Sequence, residues 1–221
     1  MAKVVIFGTG DFARIASVYL EADSPHEVVA FTVDRERMPE KSELLGREIV
    51  PFEDLVQRFP PGEHSMLVAI GFSKVNQARA SVYDRCKALG YELISYVNSK
   101  ADHWMELDIG DNCFIFEENV IQPFVRIGNN CVLWSGNHIG HDTTIGDHCF
   151  IASHVVISGN CTIGDYCFIG VNATFRDGVT VADRNVIGAG AVIMRDTEDG
   201  DVYAAPPTEP HRRKSWELRN F

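Results

Sequence analysis

The chain has 221 residues, with 20 Lys and Arg against 31 Asp and Glu, which gives a formal net charge of −11 at pH 7. A hydrophobic fraction of 45% with 23% charged residues excludes a wholly disordered chain. The acidic balance argues against a nucleic-acid-binding or anionic-membrane surface, and the sequence has no apolar run of the roughly 18 residues that a membrane-spanning helix needs. Six cysteines without a secretion signal predict free thiols in a reducing cytoplasm.

The first hundred residues alternate strand and helix patterns, which predicts a small, parallel, Rossmann-like α/β sheet. Strands are predicted at 3–8, 28–33, 47–50, 66–70 and 92–97, and helices at 11–21, 52–59 and 75–89. The turn Gly8-Thr9-Gly10 opens the first helix, where glycine backbone and a helix N-terminus suit a diphosphate. Asp34, which ends the second strand, can accept bonds from a ribose or a base. Such a turn also fits an NAD site or a purely structural role.

A six-residue period runs from Ile109 to Ile193, where fifteen consecutive repeat positions are apolar and a small or medium residue follows most of them by four. An α-helix of about 3.6 residues per turn cannot hold this pattern. The period instead predicts short strands joined by corners, with two inward side chains per hexad. Four cysteines, at 113, 131, 149 and 167, are spaced by 18 residues. We interpret them as a column of small core side chains rather than a metal or redox site.

One part of the repeat, residues 137–146, reads Asn-His-Ile-Gly-His-Asp-Thr-Thr-Ile-Gly, and Gly159-Asn160 stands 18 residues after His141-Asp142. The repeat resembles the hexapeptide-repeat family, whose fold is a left-handed parallel β-helix with three hexads per coil. Together with the α/β unit, the chain resembles the bacterial nucleotide-sugar N-acetyltransferases, the group of the sialic-acid-cluster and perosamine enzymes. The resemblance implies an α/β nucleotide-sugar-binding domain at 1–98, a left-handed β-helix at 99–195 and a C-terminal tail at 196–221.

The same resemblance implies a homotrimer that binds acetyl-CoA as cosubstrate between subunits and needs no metal. It implies that His141 is the general base and Asp142 its partner. Histidine suits this role because its ordinary pKa of about 6.5 lets it take and release a proton near neutral pH. Gly159 is expected one coil above His141, about 4.8 Å away. There it would leave room for a thioester, and its N–H could bind the developing oxyanion.

The remaining contacts implied by the resemblance fall into two sets. The nucleotide sugar is expected at Gly8, Thr9, Gly10, Asp34, Gly71, Phe72, Ser73, Asn137 and His138. Acetyl-CoA is expected at Gly159, Asn160, Gly188, Ala189, Pro206 and Arg212.

The sequence departs from the family pattern at three places. Phe72 replaces an asparagine, Phe150 replaces a second histidine, and 204–207 replaces a Gly-x-Pro-Ala close. The basic run 211–214 fits either the 3′-phosphate of CoA or a solvated tail.

The predicted function is N-acetylation of a UDP-, dTDP- or GDP-linked amino sugar by direct attack, in the cytoplasm, for lipopolysaccharide, capsule or protein-glycan synthesis. Three alternatives stay open. One is O-acylation of a sugar hydroxyl, and another is a trimeric zinc enzyme of the carbonic anhydrase or hydratase type, built on the off-register histidines. The third is a non-catalytic trimeric scaffold.

Overall fold

The computed structural model describes residues 1–104, 106–210 and 212–217. Its N-terminal part is a sheet with the strand order β3-β4-β2-β1-β5, parallel except for β3 against β4. The strands are β1 (Lys3–Phe7), β2 (Glu27–Val33), β3 (Glu43–Leu44), β4 (Arg47–Pro51) and β5 (Ser65–Val68), and the helices are α1 (Asp11–Asp23), α2 (Leu55–Arg58) and α3 (Gln77–Ala88). No helix in these ranges is long and apolar enough to cross a membrane.

The α/β sheet differs from its prediction at three places. The hairpin of β3 and β4 was not predicted, and the predicted helix at 52–59 is a 3₁₀ turn followed by the short helix α2. Of the strand predicted at 92–97, only Tyr96–Val97 is regular, and it pairs with Phe114–Ile115 of the following domain. Leu93 makes a single bridge to Met66 of β5. The apolar pattern there therefore marks the junction between the two domains.

The rest of the chain is a parallel β-helix with three faces, which we call A, B and C. Face A holds β6 (Tyr96–Val97), β9 (Phe114–Ile115), β12 (Val132–Leu133), β15 (Phe150–Ile151), β18 (Phe168–Ile169), β21 (Val186–Ile187) and β23 (Val202–Tyr203). Face B holds β7 (Asp102–His103), β10 (Val120–Ile121), β13 (His138–Ile139), β16 (Val156–Ile157), β19 (Thr174–Phe175) and β22 (Val192–Ile193). Face C holds β8 (Asp108–Ile109), β11 (Arg126–Ile127), β14 (Thr144–Ile145), β17 (Thr162–Ile163) and β20 (Thr180–Val181).

The predicted period sets the register of the coils. Strands pair with those one full coil further along the chain, as in His138 opposite Val156, and the repeat positions are buried apart from Ile109 in an early coil. The four-cysteine column is fully buried, and each thiol donates to a backbone carbonyl one coil on, as Cys131 Sγ does to Gly146 O at 3.1 Å. The cysteines are thus the core side chains that the spacing predicts.

The β-helix extends further than the apolar period. It begins at Tyr96, just before the boundary predicted at 98/99, and it ends at β23. His103 takes an apolar repeat position near the start. At the other end, β23 pairs with β21 at a spacing shorter than a full coil, with Val202 opposite Val186. Because of these two irregularities, the first and last coils do not show a strict apolar period of six residues in the sequence.

The α/β domain covers face A up to about Phe168, whereas Val202 at the far end of this face is 71% exposed. Phe114, Val132 and Phe150 on that face are at most 5% exposed, and they share one apolar cluster with β1 and α1. Phe12 of α1 packs edge-on against Phe114 at 5.5 Å between ring centroids. Faces B and C stay open in the single chain. The molecule is therefore a prism with one side closed by its own N-terminal domain.

Candidate active site

The first part of the site is a cavity of about 830 Å³ at the carboxyl ends of β1, β2 and β5. Six of the predicted nucleotide-sugar residues line it together: Gly8, Thr9, Gly10, Asp34, Gly71 and Ser73. The carboxyl ends of parallel strands are the usual ligand edge of an α/β sheet.

Glycine is required at the bottom of this cavity. Gly8 has φ +129°, and a Cβ on it would lie 2.7 Å from the carbonyl oxygen of Ala69, so a side chain would push β1 and β5 apart. Gly10 caps α1 without a side-chain hydrogen bond, which leaves the first N–H groups of a 13-residue helix available to a ligand. This arrangement favours an anionic group such as a phosphate.

Three cationic side chains that the sequence analysis missed, Arg37, Lys74 and Arg85, also line the cavity. Arg85 donates to Asp34 Oδ1 at 2.5 Å and lies over the ring of Phe52 at 4.5 Å. The hydrogen bond to Asp34 raises the pKa of Arg85. Of the three, only Lys74 could have been predicted from the sequence, because it follows Gly71 by three residues. Arg37 and Arg85 reach the cavity only through the packing of the 35–37 turn and of α3.

Phe72, which was also predicted to contact the nucleotide sugar, is 53% exposed on the surface beside the cavity. Its ring packs against Phe150 at 5.1 Å and Phe168 at 4.7 Å, both on face A. Two of the departures from the family pattern, Phe72 and Phe150, are therefore in direct contact. Together they replace polar side chains by an aromatic surface.

The second part of the site lies at the corner between faces B and C. His141 Nδ1 is 2.9 Å from Asp142 Oδ2, and the two side chains are each 52% exposed. Asp142 adopts φ +56°, as one residue does at most corners of the prism. Because a carboxylate can only accept a hydrogen bond, Nδ1 carries the hydrogen and donates it to Asp142, and the neutral ring has its lone pair on Nε2.

Gly159 of the same chain lies against this ring. A Cβ built on Gly159 would be 2.7 Å from both Cε1 and Nε2 of His141, so only glycine leaves the imidazole in place. Asn160 N donates to His141 O at 2.8 Å, while the Gly159 N–H donates to no residue in the described ranges. His141, Asp142, Gly159 and Asn160 thus meet at one corner, with Nε2 of the imidazole beside the buried backbone of Gly159.

Two residues beside the His141–Gly159 pair were missed by the sequence analysis. Gln122 Oε1 accepts from His141 N at 2.9 Å, and Asp177 Oδ1 would be 3.1 Å from a Cβ on Gly159. The coil spacing could have found Asp177, because positions 141, 159 and 177 form one column.

Asn137 corrects a prediction. It was expected to contact substrate, but it is 1% exposed inside the β-helix. Its side-chain N–H groups donate to Asn119 Oδ1 and Trp134 O, and its Oδ1 accepts from Val155 N. The residue occupies an inward repeat position, where an amide must find partners in the core. A substrate cannot reach it.

The other predicted residues are distributed over face B, the corner between faces A and B, and the C-terminal segment. His138 is half-buried on the outer side of face B, between Val120 and Val156. Gly188 and Ala189 follow β21 at the corner between faces A and B, where Gly188 N donates to Tyr203 O at 2.6 Å. Pro206 and Arg212 are exposed, and His211 lies outside the described residues.

Among the residues that the structure describes, neither a metal cluster nor an exposed thiol accompanies the corner. No group of three or more His, Cys, Asp or Glu side chains in this part of the chain could hold a metal ion. All six cysteines are free and buried, and burial raises the pKa of Cys131 and Cys149. A cysteine nucleophile would need a stabilised, accessible thiolate, which this core does not provide.

Comparison with known proteins agrees with this fold. Residues 108–140, 124–159 and 160–195 match the model of the bacterial transferase hexapeptide (six repeats), and no curated protein sequence matches the chain. A histidine variant of perosamine N-acetyltransferase from Caulobacter crescentus, solved with CoA and GDP-perosamine, is similar with a TM-score of 0.81 at 23% identity, over 91% of this chain and 93% of that one.

Two further structures show the same architecture. The acetyltransferase domain of PglB from Neisseria gonorrhoeae, in complex with acetyl coenzyme A, has a TM-score of 0.81 at 22% identity, over 95% of this chain and 99% of that one. WeeI from Acinetobacter baumannii has a TM-score of 0.65 at 16% identity, over 87% and 96%. The predicted fold, an α/β domain followed by a left-handed parallel β-helix, is confirmed.

Proposed function

We propose that this hexapeptide-repeat protein is an acetyl-CoA-dependent N-acetyltransferase that acts on the amino group of a nucleotide-linked amino-deoxy sugar. The observation that carries the proposal is the corner where Asp142 holds Nδ1 of His141 and leaves Nε2 beside Gly159. The similar structures support it, since they hold CoA with GDP-perosamine or acetyl coenzyme A. Two of them are histidine variants of the perosamine enzyme.

His141 Nε2 takes a proton from the sugar amine as the amine nitrogen attacks the carbonyl carbon of the thioester. An amide C–N bond forms, the C–S bond breaks, and the departing sulfur is protonated to give free CoA. Asp142 stabilises the transient imidazolium and fixes the ring. The Gly159 N–H stabilises the negative charge on the thioester oxygen. The attack is direct, because the buried thiols offer no covalent relay.

The nucleotide diphosphate would bind in the α/β cavity, with its phosphates at the Gly8–Gly10 turn and near Lys74. Asp34 and Arg85 would contact the nucleoside. The sugar part of the bound ligand would extend out of the cavity beside Phe72. We place the reaction in the cytoplasm and its product in surface-glycan synthesis, such as lipopolysaccharide.

We propose a homotrimer, as the family resemblance implies, and more than one copy is needed because the two parts of the site lie on opposite sides of one chain. The cavity adjoins face A, whereas His141 lies at the corner between faces B and C. A sugar held by one chain would therefore meet His141 of another copy. Acetyl-CoA would bind between copies, joining Gly159 and Asn160 of one chain to Gly188, Ala189, Pro206 and Arg212 of the next. Packing would also cover Val120, Val156 and Val192, which face B leaves 39%, 40% and 62% exposed.

A thiol-release assay tests the proposal. Acetyl-CoA is incubated with a panel of UDP-, dTDP- and GDP-linked sugars, each in an amino form and a matched hydroxyl form. We expect CoA release with an amino sugar, dependent on His141. CoA release with only the hydroxyl form of a sugar would show that the protein acylates oxygen rather than nitrogen. No release with any sugar, or activity that zinc chelation abolishes, would contradict the proposal.

A further inference from the structure

Arg79, on α3, is fully buried between the two domains. All five of its N–H donors are used, and every acceptor is an uncharged oxygen. They are Asn130 O for Nε at 3.2 Å, Gly71 O and Asn76 Oδ1 for Nη1 at 3.0 and 3.1 Å, and His148 O and Cys149 O for Nη2 at 2.9 and 3.1 Å. Burial lowers the pKa of Arg79 to about 10, which leaves it protonated at neutral pH.

The three acceptors of Arg79 that lie in the β-helix follow its repeat. They lie at the corner between faces C and A in successive coils, at Asn130 and then at His148 and Cys149. Asn76 continues the series, because its Nδ2 donates to Tyr166 O and Cys167 O at 3.0 Å each. Arg79 and Asn76, which we call the α3 clamp, thus bind three consecutive coils of the β-helix.

The segment before α3 is strained. Lys74, Val75 and Asn76 have φ of 55°, 51° and 63°, three consecutive residues in the left-handed region, one of them β-branched. Such a conformation persists only where the surroundings hold it. The α3 clamp supplies this restraint, because Asn76 is the last of the three residues with positive φ. Arg79 donates to Asn76 Oδ1 and also to Gly71 O at the start of the turn.

The restrained turn belongs to the proposed nucleotide cavity. Gly71, Ser73 and Lys74 line that cavity. A buried arginine without a carboxylate partner is a costly way to join two domains, because apolar residues can fill such a contact without desolvating a charge. A guanidinium, in contrast, can bind five acceptors in a fixed plane and so fix the turn relative to the β-helix.

We infer that Arg79, together with Asn76, is a positioning residue that fixes the 71–76 turn for nucleotide binding. This inference rests on the proposed function, because it assigns the turn to that nucleotide site. The clamp touches neither the nucleotide cavity wall across from the turn nor the His141 corner. Its loss therefore affects the affinity for the nucleotide and leaves the affinity for CoA in place.

Calorimetry with UDP, dTDP, GDP and CoA on the full chain tests this role. The variants are Asn76→Gly, which keeps the positive φ, Arg79→Lys, which keeps the charge with fewer donors, and Arg79→Gln. The control is Arg58→Gln, since Arg58 makes an exposed ion pair with Glu48. We expect each clamp variant that folds to bind the preferred diphosphate about tenfold or more weakly, and CoA within about twofold of the unaltered protein.

Unchanged diphosphate affinity in a folded clamp variant would overturn the inference, and so would a parallel loss of both ligands, as expected of a merely structural role. Failure of the unaltered protein to bind any diphosphate would instead contradict the proposed function. Hydrogen exchange of the unaltered protein gives a test without variants. The Asn76 and Ala80 amides should exchange as slowly as those of the β-helix, and rapid exchange there would show a turn that the clamp does not fix.

Discussion

Replacing Gly159 with alanine puts a methyl group against the imidazole of His141. The new Cβ would lie 2.7 Å from Cε1 and Nε2, whereas an ordinary contact begins at 3.4 Å. The ring must therefore move by about 0.7 Å or rotate away from Asp142. Gly159 is not among the residues with positive φ, so alanine suits its backbone and the fold is retained. A displacement of about 1 Å at a reacting group costs on the order of 100-fold, and we expect a loss of turnover of about 30- to 100-fold.

The assay is CoA release at saturating acetyl-CoA and amino sugar, with the melting temperature measured alongside. Thr162→Ala, at an exposed position on face C in the same coil, is the control for a small change in this region. A double-mutant cycle isolates the contact between the two residues. In a His141→Ala background, adding Gly159→Ala should lower turnover only slightly further. Full turnover in Gly159→Ala, or equal losses in both backgrounds, would refute the proposed placement of the imidazole.

The other predictions concern the base, its partner, the assembly and pH. His141→Asn should lower turnover about 100-fold or more in stopped assays while CoA affinity, measured by calorimetry, stays the same. Asp142→Asn should lower turnover by about tenfold or more with an unchanged melting temperature, because the exposed site loses the charge that stabilises the imidazolium and orients the ring. Val156→Glu on face B should give monomers in sedimentation, whereas Thr162→Glu on face C should not. Burial lowers the pKa of His148, whose Nδ1 accepts from Asn130, so the unfolded chain takes up a proton at higher pH than the folded chain. Stability is therefore complete above the ordinary histidine pKa of about 6.5 and falls as pH drops through it, and thermal melts of His148→Asn should show a shallower fall.

The β-helix could be predicted because its signal is local and repeated. Each inward position, from Ile115 to Ile193, is buried for the same reason, and the length of one coil relates neighbours in adjacent coils. That length also places Gly159 beside His141 from the order of the residues alone. The interpretation of Asn137 was wrong despite this regularity, since the residue stands four after Leu133, at an inward position of the repeat. The motif carried over from the family names residues without stating whether each side chain points inward or outward.

The junction between the domains could not be predicted. Arg79 resembles any other arginine of a helix that carries several charged residues, and only the packing of α3 on three coils shows that it is buried. Likewise, nothing local distinguishes Arg85, which reaches Asp34 across the sheet. Contacts between residues that are distant in the chain depend on how the two domains dock, and a single sequence carries no period that reports docking.

Transfer of a ¹³C-labelled acetyl group gives the most direct test of the central claim. The protein is mixed with labelled acetyl-CoA and the nucleotide-linked amino sugar that it binds best, and protein and sugar are analysed by mass spectrometry and NMR during the first turnover. The account predicts one labelled acetyl group in an amide on the sugar nitrogen and none on the protein. Label on a protein side chain, or hydrolysis of acetyl-CoA with the sugar amine untouched, would contradict it.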